Sequence, residues 1–199
     1  MITDEAVSLQ DHRRGWAMVT FTFGPLLLPV EIVAKLNIRP GTPVDAHAVL
    51  GEAMVHQTAD ARRYTNRYLA LSERSSGQLR RKLQDRGYLP KVVNQTVAWA
   101  KEYGLIDDLR YARAFASGRM LGRQGLIAQL RHRGVDDSAV SALLSELPEG
   151  DSIDSLVSIV RKKYGSISDS RAARRRAAGW LSRRGYSSGI VARVLEKAL

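Results

Sequence analysis

A six-residue template recurs three times in this 199-residue chain and limits its fold more than any other feature. LQDRGYLPKVVNQTV starts at Leu83, LRHRGVDDSAVSALL at Leu130 and LSRRGYSSGIVARVL at Leu181. Each has a leucine, two polar residues, Arg-Gly and then an aromatic or aliphatic residue. The glycines, Gly87, Gly134 and Gly185, lie 47 and 51 residues apart. An arginine suits the negative end of a helix dipole, and a glycine can take the left-handed conformation that follows a helix end. Tyr88, Val135 or Tyr186 can then fold back on the last turn, and a new helix begins within three residues.

The helix behind each glycine carries apolar residues at helical spacing. They are Val92, Val93, Thr96, Val97 and Ala100, then Ala139, Val140, Leu143, Leu144 and Leu147, then Ile190, Val191, Val194, Leu195 and Ala198. These positions are expected to be core. Two further helical stretches precede each glycine. In the first unit, Ala61–Leu71 is followed by a helix running to Arg86, which Ser75 and Gln78 open as a capping box. The second unit opens at Asp107-Asp108 and continues through Leu109, Ala112, Phe115 and Ala116. Gly118, Gly122 and Gly125 interrupt it, as a helix break, before Leu126–Arg133. The third runs Ile153, Leu156, Val157, Val160, Tyr164, breaks at Gly165-Ser166 and resumes from about Asp169 to Arg184.

One such unit buries too little apolar surface alone, and tandem packing is the physical solution. The expected fold is therefore mainly α: three tandem three-helix repeats forming an elongated, curved rod, with a small strand-containing N-terminal extension. The expected boundaries are 1–57 for the extension, then 58–106, 107–150 and 151–199. Within the extension, Trp16–Phe23 alternates as a strand with Val19, Phe21 and Phe23 on one face. Pro29–Leu36 is a short helix candidate, Asn37–Pro43 is turn chemistry, and Ala46–His56 can be helical.

Charge is distributed unevenly. The chain carries a net charge of +11. Residues 1–57 net −2 and residues 58–199 net +13; within the latter, the three units net +6, 0 and +7. Most of the bases are arginine, the side chain suited to bidentate phosphate or carboxylate contacts. Acids are too scarce on the arginine-rich helices to supply i,i+4 partners, so a polyanion or an acidic protein surface is the expected partner. The candidate binding residues are Arg74, Arg80, Arg81, Lys82 and Arg86 in the first unit and Arg110 and Arg131 in the second. In the third they are Arg171, Arg174, Arg175, Arg176, Arg183 and Arg184. Two basic patches joined by a neutral middle fit an elongated ligand.

The chemistry of reactive sites is sparse. There is no cysteine, which removes disulfides, thiolate metal sites and cysteine nucleophiles. His12, His47, His56 and His132 lie in different segments with no pair at ligand spacing. Asp107-Asp108 reads as a helix start, since adjacent side chains on a helix point apart. No phosphate-cradling loop is present. We expect no catalytic residues, no cofactor and no metal. With acids in its first five residues and no long apolar run, the chain is expected to be cytoplasmic, without membrane contact.

Three segments and a glycine together resemble the RecX family of RecA regulators. They are Tyr64–Leu83, YTNRYLALSERSSGQLRRKL, followed by Gly87; Gly104–Phe115, GLIDDLRYARAF; and Gly125–Val135, GLIAQLRHRGV. The Asp-Asp-x-Arg-aromatic-Ala box reads Asp107 to Ala112. The resemblance covers about residues 58–199. It implies tandem three-helix repeats in a monomeric, non-enzymatic protein that lies in the groove of the RecA filament. Its partners would be the RecA filament and single- and double-stranded DNA, bound directly or through RecA. The implied effect, in DNA repair, recombination and the SOS response, is to restrain strand exchange, ATP hydrolysis and co-protease activity. The alternative is an autonomous, charge-driven DNA-binding protein without RecA specificity.

Overall fold

The computed structural model describes residues 3–147, 152–165 and 170–198. They fall into two compact units, Met1–Asp107 and Asp108–Leu199. The first combines a sheet with helices. Strands β1 (Thr3–Arg13), β2 (Trp16–Phe21), β3 (Gly24–Pro29) and β4 (Pro43–Asp45) form an antiparallel sheet in the order β3-β2-β1-β4. Helix α1 (Val30–Lys35) follows β3, and α2 (Ala46–Leu69), α3 (Ser76–Asp85) and α4 (Pro90–Glu102) complete the unit.

Both faces of the sheet are covered where β2 and β3 pair. Ala17, Val19 and Phe21 alternate into one core with Leu26, Leu28, Ile32, Val33, Val49 and Ala53. Trp16, Met18 and Leu27 enter another with Ala61, Leu79, Leu83, Tyr88, Val92 and Val97. A strand buried on both faces has no polar alternation, which is why Leu26, Leu27 and Leu28 stand consecutively in β3. The expected strand Trp16–Phe23 ends earlier, at Phe21. Phe23 lies in the turn, 46% exposed, with its ring stacked on Phe21 at 4.9 Å.

Helix α2 joins the two cores. Its N-cap, Asp45, accepts hydrogen bonds from the His47 and Ala48 amides. The stretches read separately as Ala46–His56 and Ala61–Leu71 are one continuous helix ending at Leu69, so the expected passage from extension to first repeat at 57/58 falls inside it. Gln57, fully buried, donates from Nε2 to the Leu27 carbonyl on edge strand β3 at 2.7 Å. Its Oε1 accepts from the Leu89 amide, at the start of α4, also at 2.7 Å. A second tie comes from Arg13, which pairs with Asp60 at 2.8 Å and lies over the rings of Trp16 and Tyr88. The Tyr88 hydroxyl donates to the same Asp60 carboxylate at 2.6 Å. Burial, followed by that bond, holds the Tyr88 phenol above its ordinary pKa. The capping box opening α3 is present: the Gln78 amide donates to Ser75 Oγ at 3.2 Å and the Ser75 amide to Gln78 Oε1 at 3.0 Å.

The second unit contains helices α5 (Asp108–Ala116), α6 (Arg123–His132), α7 (Asp137–Glu146), α8 (Ile153–Tyr164), α9 (Arg171–Arg183) and α10 (Ser188–Lys197). Helices α5–α7 close over Ala112, Phe115, Leu126, Leu130, Val135, Val140 and Leu143. Helices α8–α10 close over Leu156, Val157, Val160, Ala173, Ala177, Leu181, Tyr186 and Val194. Ser152, Ser170 and Ser187 cap α8, α9 and α10 by accepting from amides three residues on. Asp108 serves its expected helix-start position and also accepts from the Asp136 amide at 3.3 Å, tying α5 to the start of α7. Arg113 binds Glu146 across the same pair of helices at 2.8 Å, holding that carboxyl below its ordinary pKa. The expected start at Asp169, Ser166 of the helix break and the 150/151 junction lie outside the described residues.

The repeated template is a helix stop built the same way each time. Gly87, Gly134 and Gly185 have φ of 79°, 71° and 78°. Each glycine amide donates to the carbonyl three residues back, and the next amide donates to the template leucine: Tyr88 to Leu83, Val135 to Leu130 and Tyr186 to Leu181. These paired bonds define the Schellman motif, with the expected hydrophobic contact between its ends. Leu83, Leu130 and Leu181 are fully buried, and the residues after the glycines are 4–6% exposed.

The third motif is also part of a backbone contact. The Gly122 amide donates to the Arg184 carbonyl at 2.9 Å. A Cβ at Gly125 would lie 2.1 Å from that carbonyl oxygen, and one at Gly122 2.5 Å from the Gly185 oxygen. The glycines read as a helix break thus do more: Gly122 and Gly125 let the start of α6 press directly on the α9–α10 turn.

Two substitutions test these ties. Gln57→Leu keeps the volume but strands a buried carbonyl and a buried amide, with an expected cost of about 2–5 kcal/mol. Denaturant unfolding followed through Trp16 and Trp99 should show the loss. Gly125→Ala should destabilise the second unit, read through Trp180 emission and thermal unfolding, because the obstructing atoms are backbone and cannot rotate away.

Candidate functional site

The candidate basic residues separate into three physical classes. Arg81, Lys82, Arg110, Arg171, Arg174, Arg175, Arg176 and Arg183 are exposed. Arg74, Arg86 and Arg184 are half-buried and stacked on aromatic rings. Arg80 and Arg131 are engaged by polar partners: Arg80 donates to Asn94 on α4, and Arg131 pairs with Asp137 at 2.9 Å.

The stacked class was not expected from charge counting. Tyr64 and Tyr68, one turn apart on α2, stack at 5.9 Å between centroids. Arg86 lies over Tyr64 at 4.2 Å and Arg74 over Tyr68 at 5.1 Å, so the ladder runs Arg86, Tyr64, Tyr68, Arg74. Nearby, Arg62 lies over Trp99 at 5.1 Å. In the second unit Arg119 and Arg133 lie over Phe115 at 4.2 and 4.4 Å, and Arg184 over Trp180 at 4.5 Å. The template arginines Arg86, Arg133 and Arg184 are thus each stacked, in addition to ending a helix. A cation–π contact contributes about 0.5–2 kcal/mol. It fixes the guanidinium plane without cancelling its charge, which a carboxylate partner would do.

Reading the sequence for charge alone missed Arg62, Arg119 and Arg133. A signal was present: aromatic pairs four residues apart at Tyr64/Tyr68, Trp99/Tyr103 and Tyr111/Phe115, each with rings 5.7–6.5 Å apart. Arg62, Arg74, Arg86, Arg119 and Arg133 all stack on a ring of one of these pairs.

The largest concentration of open charge lies on α9. Ala173, Ala177 and Leu181 form the buried side of this helix, which leaves Arg171, Arg174, Arg175, Arg176 and Arg183 exposed. None of the five has a carboxylate partner among the described residues. Ala172, Arg175, Arg176, Gly179 and Arg183 share one face and, with Tyr164 of α8, line a shallow groove of about 510 Å³. The small residues Ala172 and Gly179 form low points between the arginines. In the first unit, α3 presents Arg81 and Lys82 outward while Leu79 and Leu83 are buried.

Such surfaces bind extended anions. Guanidiniums suit phosphate and carboxylate oxygens bidentately. Each phosphate neutralised steepens the salt dependence of binding by about 0.7–0.9 log units per decade. No helix among the described residues is long and apolar enough to cross a membrane.

Comparison with known proteins agrees with this architecture. Residues 61–99 match the family model for the first three-helix domain of RecX, and residues 149–195 match that for its third. A regulatory protein RecX from Mycobacterium sp. (strain JLS) is 34% identical over 140 residues, 65% of this chain and 76% of the relative. The regulatory protein RecX of Streptomyces coelicolor is 33% identical over 167 residues, 80% of this chain and 88% of the relative. A crystal structure of regulatory protein RecX shares the fold, with a TM-score of 0.61 at 17% identity over 97% of this chain and 99% of that one. RecX from Lactobacillus salivarius also aligns with a TM-score of 0.61, over 72% of this chain and 97% of that one. With three-helix groups each turned after the second helix by one repeated motif, and relatives matched at one third identity over more than three quarters of their length, the chain belongs to the RecX family of regulatory proteins.

Proposed function

We propose that this protein binds the RecA–DNA filament and restrains RecA recombinase, ATPase and co-protease activity. The observation that carries the reading is the exposed face of α9, where five arginines stand without a carboxylate partner among the described residues. Such a face is costly to maintain unless an anionic surface covers it. Membership of the RecX family supports the RecA–DNA filament as the assembly that covers it. The α3 face, with Arg81 and Lys82 outward and Arg74 and Arg86 held on the tyrosine ladder, supplies a second basic contact. The protein acts by occupancy, in the cytoplasm and as a monomer, with no bound cofactor.

The test is RecA ATP hydrolysis on single-stranded DNA with this protein at sub-stoichiometric to equimolar ratios. The rate should fall, and an unchanged rate at every ratio overturns the reading. Reversing three α9 charges (Arg174→Glu, Arg175→Glu and Arg176→Glu together) should weaken filament binding by at least about tenfold. Helicity by circular dichroism should be unchanged, because all three side chains are exposed. Equal or tighter binding to bare DNA than to RecA-coated DNA at physiological salt would instead favour an autonomous DNA-binding protein.

A further inference from the structure

The second repeat nets zero charge, yet the structure gathers cations beside it. Arg119, Arg133 and Arg184 line one groove of about 410 Å³ together with Phe115, Met120 and Leu121. No aspartate or glutamate is among the residues that line it. The third arginine arrives through the glycine contact: Gly122 and Gly125 seat the α9–α10 turn on the start of α6, and Arg184 Nη1 then donates to the Met120 carbonyl at 2.9 Å. All three guanidiniums are held in place. Arg119 donates to the Phe115 carbonyl, Arg119 and Arg133 lie over the Phe115 ring, and Arg184 lies over Trp180.

We propose that this groove binds an acidic peptide segment of a protein partner, one in which carboxylates alternate with aliphatic side chains. Arg119 and Arg184 bring like charges into one groove, where they repel each other, and an anionic occupant relieves that repulsion. Guanidiniums already fixed by stacking lose little freedom when they bind. The apolar lining selects the occupant. The Phe115 ring is 7% exposed, so it is no platform for a nucleobase, whose binding to single strands depends on open aromatic faces. The half-buried Met120 and Leu121 offer aliphatic surface, which a leucine or valine next to a carboxylate matches and a phosphodiester backbone does not. Charges in a short cluster suit a peptide, whereas the linear array on α9 suits a nucleic-acid strand. This assignment stands apart from the reading of α9.

Fluorescence anisotropy on the full chain tests it, with two probes at about 0.15 M salt. One is a fluorescein-labelled peptide of alternating glutamate and leucine; the other is a labelled oligothymidylate. The double variant Arg119→Gln/Arg133→Gln should bind the peptide about tenfold more weakly and the oligothymidylate within about twofold of the parent. Arg119→Gln alone changes an exposed side chain, so it carries the test if the double variant unfolds, with an expected loss of about threefold. Failure of the parent to bind the peptide saturably overturns the proposal, as does an unchanged peptide affinity in Arg119→Gln. A greater loss for oligothymidylate than for peptide also overturns it and assigns the groove to nucleic acid.

Discussion

Each three-helix group depends on the reversal after its second helix, and each reversal depends on a glycine that the chain can hold at positive φ. At Gly87, Gly134 and Gly185 a side chain would strain the backbone, and without the left-handed residue neither Schellman bond can form. The bonds fix more than direction. They bury the residue after glycine against the template leucine, closing each core at its most constrained corner. They also place the arginine before glycine at the helix end, where it meets an aromatic ring. Core closure and the position of a cation thus follow from one local geometry.

Arginine in this protein has two physical uses that charge counting merges. Arg13, Arg86, Arg133 and Arg184 are structural in part, stacked and half-buried, with their planes fixed by rings instead of carboxylates. The α9 arginines are held by little except their own helix and are open to a partner. Net zero charge in the second repeat hides this difference. Arg113 and Arg131 are engaged by Glu146 and Asp137, whereas Arg119 donates to a backbone carbonyl and faces a groove whose lining holds no acid. Local pairing, not the sum, decides where an anion can be held.

The N-terminal extension takes its role from buried polar chemistry. Gln57 satisfies a carbonyl of edge strand β3 and an amide at the start of α4 with a single side chain. The Arg13, Asp60 and Tyr88 group links β1 to the first Schellman turn. Buried groups of this kind are expensive to leave unpaired, so the sheet and the first four helices form one compact unit despite their different compositions.

Much was legible in the sequence because it is local. Helical periodicity, the Ser75 capping box, the three glycine stops and the core faces of α4, α7 and α10 each depend on residues within a turn or two of one another. The exposed arginines of α9 followed from the same periodicity, since a helix with Ala173, Ala177 and Leu181 inward must turn its arginines outward. Strand β1 was not legible: Ala6 is its one fully buried residue, and its partners include Phe21, 15 residues from Ala6, and Asp45, 42 residues from Thr3. Strand β3 was hidden because burial on both faces removes alternation. By itself, then, the sequence determined the helices, their stops and the sign of the surface, all set by short-range sterics and periodicity. Only the tertiary structure decided that α2 runs unbroken between two cores, that Gly125 meets Gly185, and which arginines are stacked, paired or open. Those outcomes depend on contacts between residues distant in the chain, whose geometry no local pattern encodes.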